Sequence, residues 1–194
     1  MSLLRPAATL VVGFTLLLGL AMPAAMTGLA TTFLPDLAGG SLIERDGHVI
    51  GSALIGQNFT GDRYFHGRPS ATTASDPQDS SRTVDSPYNA ASSAASQRGP
   101  SNRALIDAVR ERVAAAGAAP VPADAVMASG SGLDPDISPE NAVRQVARVA
   151  QARGMPEERV RAILRENTTM PILGFLGVER VNVLRLNLAL DAAG

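Results

Sequence analysis

The sequence predicts an α+β protein, in which one N-terminal transmembrane helix precedes a small domain with a small sheet covered by two or three helices. Three observations lead to this prediction. The stretch from Pro6 to Pro35 carries no charged residue, several later segments repeat apolar residues at helical spacing, and others alternate apolar and polar residues as strands do. The chain therefore divides into an anchor, residues 1–35, and a domain, residues 36–194.

The densest apolar part of the anchor runs from Ala8 to Met26, within a predicted span of about residues 8–30. Crossing a bilayer as a helix takes about 20 apolar residues. Arg5 precedes the span and Asp36 is the first charge after it, so the positive-inside bias predicts a cytoplasmic N-terminus and a domain outside the cytoplasm. The alternative is a cleaved signal peptide, whose apolar region would be only about 7–15 residues long. In both interpretations the domain is exported from the cytoplasm.

The first half of the domain has the pattern of strands and a long loop. Asp36–Ser41 is predicted to be a linker, and the loose alternation of His48–Leu54 predicts a first strand. Gly61–Phe65 is predicted to be a short strand or a turn. From Arg68 to Pro100 the chain is rich in Ser, Thr, Ala, Pro and Asp, which predicts a long loop. Long loops inside compact domains are often functional.

Helical signals dominate the second half of the domain. Ser101–Gly117 is predicted to be a helix with its first residue as N-cap and its last as the stop. Ser138–Gly154 is a second helix, with Pro139 in the first helical position, where a missing N–H costs nothing. Pro156–Asn167 is a third. The near-alternation of Val and Leu with Asn, Arg and Ala over Arg180–Asp191 predicts a final strand.

Composition excludes several classes of chemistry. There is no cysteine, which rules out thiol catalysis, disulfides and cysteine-based zinc sites. The 17 basic residues are all arginine, they balance 18 acidic residues, and they form no basic patch, so we expect no nucleic-acid partner. The two histidines, His48 and His66, lack a nearby partner cluster, and we expect neither to be catalytic or to bind a metal ion.

The loop Ser129-Gly130-Ser131-Gly132 invites a nucleotide-binding or serine-nucleophile interpretation. It lacks the lysine of a phosphate-binding loop, and its glycines are too closely spaced for a nucleophile elbow. A tight turn that needs positive φ at glycine is the favoured interpretation over a ligand contact. Three carboxylates follow, and they are predicted to be solvated groups near a helix start, favoured over a cation site: Asp134, Asp136 and Glu140.

The segment Tyr64-Phe65-His66-Gly67-Arg68 places aromatic residues beside an arginine. Two interpretations stay open. In the first, the aromatic side chains fill the core and Arg68 pairs with a carboxylate. In the second, the segment is an interface hot spot, in which tyrosine and arginine are enriched.

Several long strings, in order along nearly the whole chain, resemble the C subunit of the Kdp potassium-transporting ATPase. The most specific string runs from Ala128 to Pro139 and contains Ser129-Gly130-Ser131-Gly132-Leu133-Asp134. The other strings are Gly51–Phe59, Tyr64–Ala71, Ser86–Ala90 with its Tyr88-Asn89 pair, Gly99–Asn102, Gln145–Gly154 and Arg180–Asp191.

The resemblance implies a non-catalytic accessory subunit in the inner membrane. Its implied partners are a potassium-translocating subunit and a P-type ATPase subunit, with a small fourth subunit as a further candidate. It also implies a catalytic chaperone that raises the ATP affinity of the pump, with ATP and potassium acting at the level of the complex. A domain outside the cytoplasm cannot touch cytoplasmic ATP, so such an effect would pass through other subunits.

The chain departs from the family pattern where a Ser-Gly-Gly-Ser-like run is usual. Here that run is Ser92-Ser93-Ala94-Ala95-Ser96-Gln97, without glycine, which weakens a phosphate-binding role. Asp136 stands where the family usually has histidine, and Met127 where it usually has threonine. The rival functions are an anchored serine hydrolase using Ser131 or Ser129 and an unrelated membrane-tethered binding module.

Overall fold

The computed structural model describes residues 3–117 and 120–194, and the chain forms two compact units. The first unit ends at Ser52, and the second runs from Ala53 to Gly194.

The first unit begins with a continuous apolar helix over Leu4–Phe33, long and apolar enough to cross a membrane. It consists of α1 (Leu4–Leu16), a π-helical turn (Leu17–Ala21) and α2 (Met22–Phe33). The π turn ends two residues before Pro23, which has no N–H to continue the α-helical ladder. The helix therefore changes its winding locally near Pro23 and continues beyond it.

A short helical turn, α3 (Pro35–Ala38), lies where the sequence predicts a linker. It is followed by an antiparallel hairpin of β1 (Leu42–Arg45) and β2 (His48–Ser52). Asp46 and Gly47 join the strands and both have positive φ, as the tightest hairpin turns require. The predicted first strand is confirmed, and it ends at Ser52 instead of Leu54.

The second unit is an α+β fold, as predicted, and Gly61–Phe65 is a turn in it. Its sheet is antiparallel in the order β5-β7-β6. A separate hairpin, β3 with β4, lies inside the predicted long loop. The elements in chain order are β3 (Thr73–Ser75), β4 (Thr83–Asp85), α4 (Arg103–Ala116), α5 (Ala123–Val126), β5 (Asp136–Ile137), α6 (Pro139–Arg153), α7 (Glu157–Glu166), β6 (Thr168–Thr169), β7 (Arg180–Asn182) and α8 (Val183–Ala193).

The helix boundaries follow their capping residues. Ser138 Oγ accepts a hydrogen bond from the Asn141 N–H at 3.1 Å, and Gly154 ends α6 in the left-handed conformation, so both predicted caps are confirmed. The prediction of Ser101 as an N-cap is wrong. Asn102 caps α4 instead, because its side-chain oxygen accepts from the Ala104 N–H at 2.9 Å.

The prediction of a final strand over Arg180–Asp191 is also wrong beyond its first three residues. The strand β7 ends at Asn182, whose side-chain oxygen accepts from the Arg185 N–H at 3.1 Å and starts α8. Leucine recurs at every second position here, which imitates a strand. The buried residues nevertheless follow a helical spacing: Val183, Leu184, Leu186, Asn187 and Leu190.

The core lies where α6, α7 and α8 cover the three-stranded sheet. Its buried side chains are Phe65, Ile137, Ala142, Val146, Val149, Ala150, Val160, Leu164, Val181, Val183, Leu186 and Leu190. Phe65 is the one aromatic ring in this set, and the rest is aliphatic, as the small number of aromatic residues in the sequence requires.

Candidate functional site

Two side-chain amides hold the backbone of the segment that carries the candidate residues Phe65 and Arg68. Asn187 donates to the Phe65 carbonyl at 3.0 Å and accepts from the Phe65 N–H at 2.8 Å. Gln145 makes the same pair of bonds with His66, at 3.1 and 2.8 Å. Both amides are buried. They satisfy backbone groups that a neighbouring strand would otherwise bond, so α8 and α6 position this segment directly.

Arg68 joins this segment to the glycine-rich loop. Its Nη1 donates to Asp134 Oδ2 at 2.8 Å, and the Tyr88 hydroxyl donates to the Arg68 carbonyl at 2.7 Å. The Tyr88 ring lies so close to Gly56 and Gly67 that a Cβ at either glycine would overlap it. Burial, and then the Asp134 carboxylate, raise the pKa of Tyr88 to about 12. Tyr88 is therefore a neutral hydrogen-bond donor at physiological pH.

Hydroxyl groups connect the Tyr88-Asn89 pair to the same loop. Ser70 Oγ donates to the Gly132 carbonyl at 2.8 Å and accepts from the Tyr88 N–H at 3.1 Å. Thr72, which is buried, accepts from the Asn89 N–H at 3.1 Å through its hydroxyl. These bonds place two candidate stretches, distant in sequence, against each other.

The serines of the glycine-rich loop bond the loop's own backbone. Ser129 Oγ accepts from the Gly132 N–H at 2.8 Å, and Ser131 Oγ accepts from the Leu133 N–H at 3.1 Å. The Ser131 carbonyl accepts from the Ala94 N–H at 3.0 Å. Gly132 has a φ of +69°, as the predicted tight turn requires. Both hydroxyls therefore stabilise the turn.

Gly130 differs from Gly132. It is exposed, has no atom within 4 Å of where a Cβ would stand, and does not have a positive φ. Its backbone is therefore compatible with any small side chain, and the prediction of positive φ applies to Gly132 alone.

The prediction of solvated carboxylates after the loop is wrong for Asp134 and Asp136, which are half-buried and pair with arginines. Glu140 is exposed in the first turn of α6, as predicted. Asp134 pairs with Arg68, and Asp136 accepts from Arg180 Nε and Asn182 Nδ2, both at 3.1 Å. Burial raises the pKa of Asp136 above its usual range. Within residues 3–117 and 120–194, no group of three or more histidine or acidic side chains is arranged to hold a metal ion.

The side chains of Tyr64 and Phe65 lie in different surroundings. Phe65 is fully buried in the core. Tyr64 is half-buried, with its ring 5.3 Å from that of Phe59 and 5.2 Å from the Arg153 guanidinium. Arg153 is itself held by Asp191 at 2.8 Å. The first interpretation of this segment thus describes Phe65 and the pairing of Arg68, and Tyr64 retains an accessible edge.

Two clefts border the site, and Arg68 lines both. The larger, about 880 Å³, lies beside α5, β5 and the start of α6 and is lined by Asp124, Asp136 and Val143, among others. The smaller, about 700 Å³, is lined by Tyr88, Phe59 and Asn141 together with four arginines: Arg68, Arg112, Arg144 and Arg148. Any partner that approaches Arg68 therefore meets a concave surface on either side.

Sequence reasoning missed the residues that organise this site. Asn187 and Gln145 lie on helices 122 and 79 residues away from the backbone groups that they bond. Two polar side chains at otherwise apolar core positions were the available signal. The exposed apolar turn over residues 170–178 was also passed over, because it lies between two predicted elements.

Comparison with known proteins agrees with this architecture. Residues 4–192 match the family KdpC, described as the c chain of the K⁺-transporting ATPase. A potassium-transporting ATPase KdpC subunit from Rhodopseudomonas palustris strain BisB18 is 61% identical over 194 residues, which cover 98% of both chains. One from Methylobacterium nodulans is 59% identical over 192 residues, which cover 97% of this chain and 96% of the relative. The chain therefore belongs to the KdpC family of potassium-transporting ATPase subunits.

Proposed function

We propose that the chain is a non-catalytic accessory subunit that stabilises an ATP-driven potassium-uptake complex. The observation that carries this proposal is the bonding of the candidate loops to one another. Arg68 with Asp134, Ser70 with Gly132, and Ala94 with Ser131 are linked by hydrogen bonds of 2.8 to 3.0 Å. A surface built this way is preorganised, which lowers the entropy cost of binding a partner.

The proposed partners are the potassium-translocating subunit and the P-type ATPase subunit, with a small fourth subunit as a further candidate and lipid around the anchor. ATP and potassium act at the level of the complex. The proposed recognition surface combines Tyr64 and Arg68 with the Tyr88-Asn89 pair and Ser129–Asp134. Phe65, Ser129 and Gly132 support this surface from beneath, because all three are buried.

The proposed topology has a cytoplasmic N-terminus, an anchor at residues 1–35 in the inner membrane, and the domain outside. Arg5 in the first turn of the apolar helix and Asp36 after its end support this orientation. A chaperone effect on ATP affinity is then transmitted through the other subunits. A reporter that matures only in the cytoplasm, fused after Gly194, tests the orientation, and it should be inactive. An active reporter would reverse the topology and make direct ATP contact feasible.

The serine-hydrolase alternative has less support. Ser129 is buried, and both Ser129 and Ser131 use their hydroxyl oxygens to accept backbone hydrogen bonds. A nucleophilic serine needs instead a base that accepts its proton.

Co-purification from native membranes tests the accessory role. The tagged full chain should retain a P-type ATPase and a potassium translocator. The Ser131→Ala chain should assemble and support potassium-limited growth, whereas Gly132→Val should impair assembly, since valine does not tolerate this φ. Loss of growth with Ser131→Ala in a fully assembled complex would contradict the proposal and assign chemistry to the loop.

The same assay tests the recognition surface. Tyr64→Ala should weaken association by about 2 kcal/mol if the tyrosine is a hot spot. Because Tyr64 also packs on Phe59 and Arg153, unfolding of the variant is measured in parallel. Unchanged recovery of the complex with a folded chain would remove Tyr64 from the surface.

A further inference from the structure

An apolar turn projects from the second unit between β6 and β7. We name residues 170–178 the apolar finger. Six large apolar side chains in it are more than half exposed: Met170, Ile172, Leu173, Phe175, Leu176 and Val178. No charged residue lies between Glu166 and Glu179. The other exposed large apolar residues described in this unit are isolated from one another in sequence, so this concentration is specific to the finger.

The tip of the finger bonds its own backbone. The N–H groups of Ile172 and Leu176 each donate to the other's carbonyl, at 3.0 and 2.9 Å. The Gly174 N–H donates to the Pro171 carbonyl at 3.0 Å, and the Phe175 N–H donates to Ile172 at 3.4 Å. These four N–H groups are therefore satisfied without water, which lowers the cost of bringing the tip close to an apolar surface.

The tip also carries backbone strain. Leu173 has a φ of +57°, a conformation that glycine or asparagine usually adopts. Its side chain is 77% exposed, so packing within this unit does not account for a leucine at this position. A large apolar residue kept in a strained, exposed position indicates a role outside the folded unit.

We propose that the apolar finger inserts into the lipid surface of the membrane that holds the chain's own anchor. Lipid fits these observations because an uncharged turn with six exposed large apolar side chains gains by leaving water and presents no charge for a polar partner to pair with. The inference goes beyond the proposed complex, since it requires only the anchor and a bilayer.

The anchor makes even a weak insertion effective. Only residues 34–52 connect the apolar helix to the second unit, and part of this stretch is folded into α3 and the β1–β2 hairpin. Because both units belong to one chain, the second unit cannot diffuse away from the bilayer that holds the anchor. Contact between finger and lipid is then intramolecular in character, with a high effective concentration.

The test uses the full chain reconstituted alone in phospholipid vesicles. The chain contains no tryptophan, so Phe175→Trp gives a single fluorescent reporter at the finger. The matched control is Val84→Trp, which places the reporter at an exposed apolar position on β4. Vesicles of phospholipid brominated along the acyl chain should quench most of the emission of the first variant, and that of the second should persist. Adding Leu173→Asp to the first variant should abolish its quenching.

Equal quenching in both single variants would overturn the proposal. So would emission from the Phe175→Trp variant that stays unquenched in vesicles and is shielded from aqueous acrylamide only after the partner subunits are added. That second outcome would assign the finger to a protein surface. Neither result bears on co-purification of the complex, so the proposed function is tested separately.

Discussion

The two glycines that flank Ser131 provide a matched pair of substitutions. Gly132→Ala places a methyl group 2.6 Å from Thr72 Cγ2 and 2.7 Å from the Ala94 carbonyl, at a residue with a φ of +69°. The left-handed conformation costs alanine about 1–2 kcal/mol, and overpacking costs about 1–3 kcal/mol. We therefore expect a loss of about 2–5 kcal/mol in the free energy of unfolding.

Gly130→Ala is the control, because nothing lies within 4 Å of the added methyl group. Its effect should stay within about 0.5 kcal/mol. Urea unfolding of each full-length variant in detergent, followed by near-ultraviolet circular dichroism of the tyrosines, measures both free energies. Equal losses at the two glycines, or a neutral Gly132→Ala, would refute the claim that close packing at Gly132 fixes the loop.

Three further predictions concern groups around the site. Asn187→Leu should lower the free energy of unfolding by about 2–5 kcal/mol, because it leaves two buried backbone groups of Phe65 without hydrogen bonds. A urea midpoint equal to that of the unaltered chain would contradict this prediction. In the Tyr64→Phe chain the remaining phenol, Tyr88, should titrate near pH 12 by ultraviolet absorbance, and stability should fall as pH rises from about 10 to about 12, because the folded state holds the proton longer. Burial lowers the pKa of His66, so stability should fall as pH drops below about 6.5 and the unfolded state takes up a proton. This fall should be smaller in His66→Gln, and an identical pH profile would exclude His66 as its source.

Local signals predicted the anchor, the caps at Ser138 and Gly154, and the turn at Gly132, because each depends on a few neighbouring residues. The error over Arg180–Asp191 arose because leucine at every second position satisfies the strand pattern and a helical core face together. Only the capping bond of Asn182 and the burial of Asn187 separate the two. The cap is a local signal, whereas the burial of Asn187 depends on its tertiary hydrogen bonds to Phe65, which no local pattern contains.

The sequence predicted the candidate site as separate strings of residues. It did not predict that these strings contact one another in the fold. Resemblance to the family located Arg68, Tyr88 and the Ser129–Asp134 loop, and the structure joins these three. Phe65 shows the limit of that approach, because a family motif marks core residues and surface residues alike. The apolar finger was missed because it lies between two predicted elements, and composition alone does not show whether an apolar run is exposed.

The hydrogen bonds from Asn187 to Phe65 are also expected to form late in folding. They join residues 122 positions apart, and α8 supplies three buried aliphatic side chains to the core as well. Contacts between residues so far apart in sequence form slowly, because a long loop must close before they contribute any stabilising free energy. We therefore expect Phe65 and its neighbours to reach their native packing only after α8 has been synthesised, and we expect a chain that ends before Asn182 to leave these core side chains exposed.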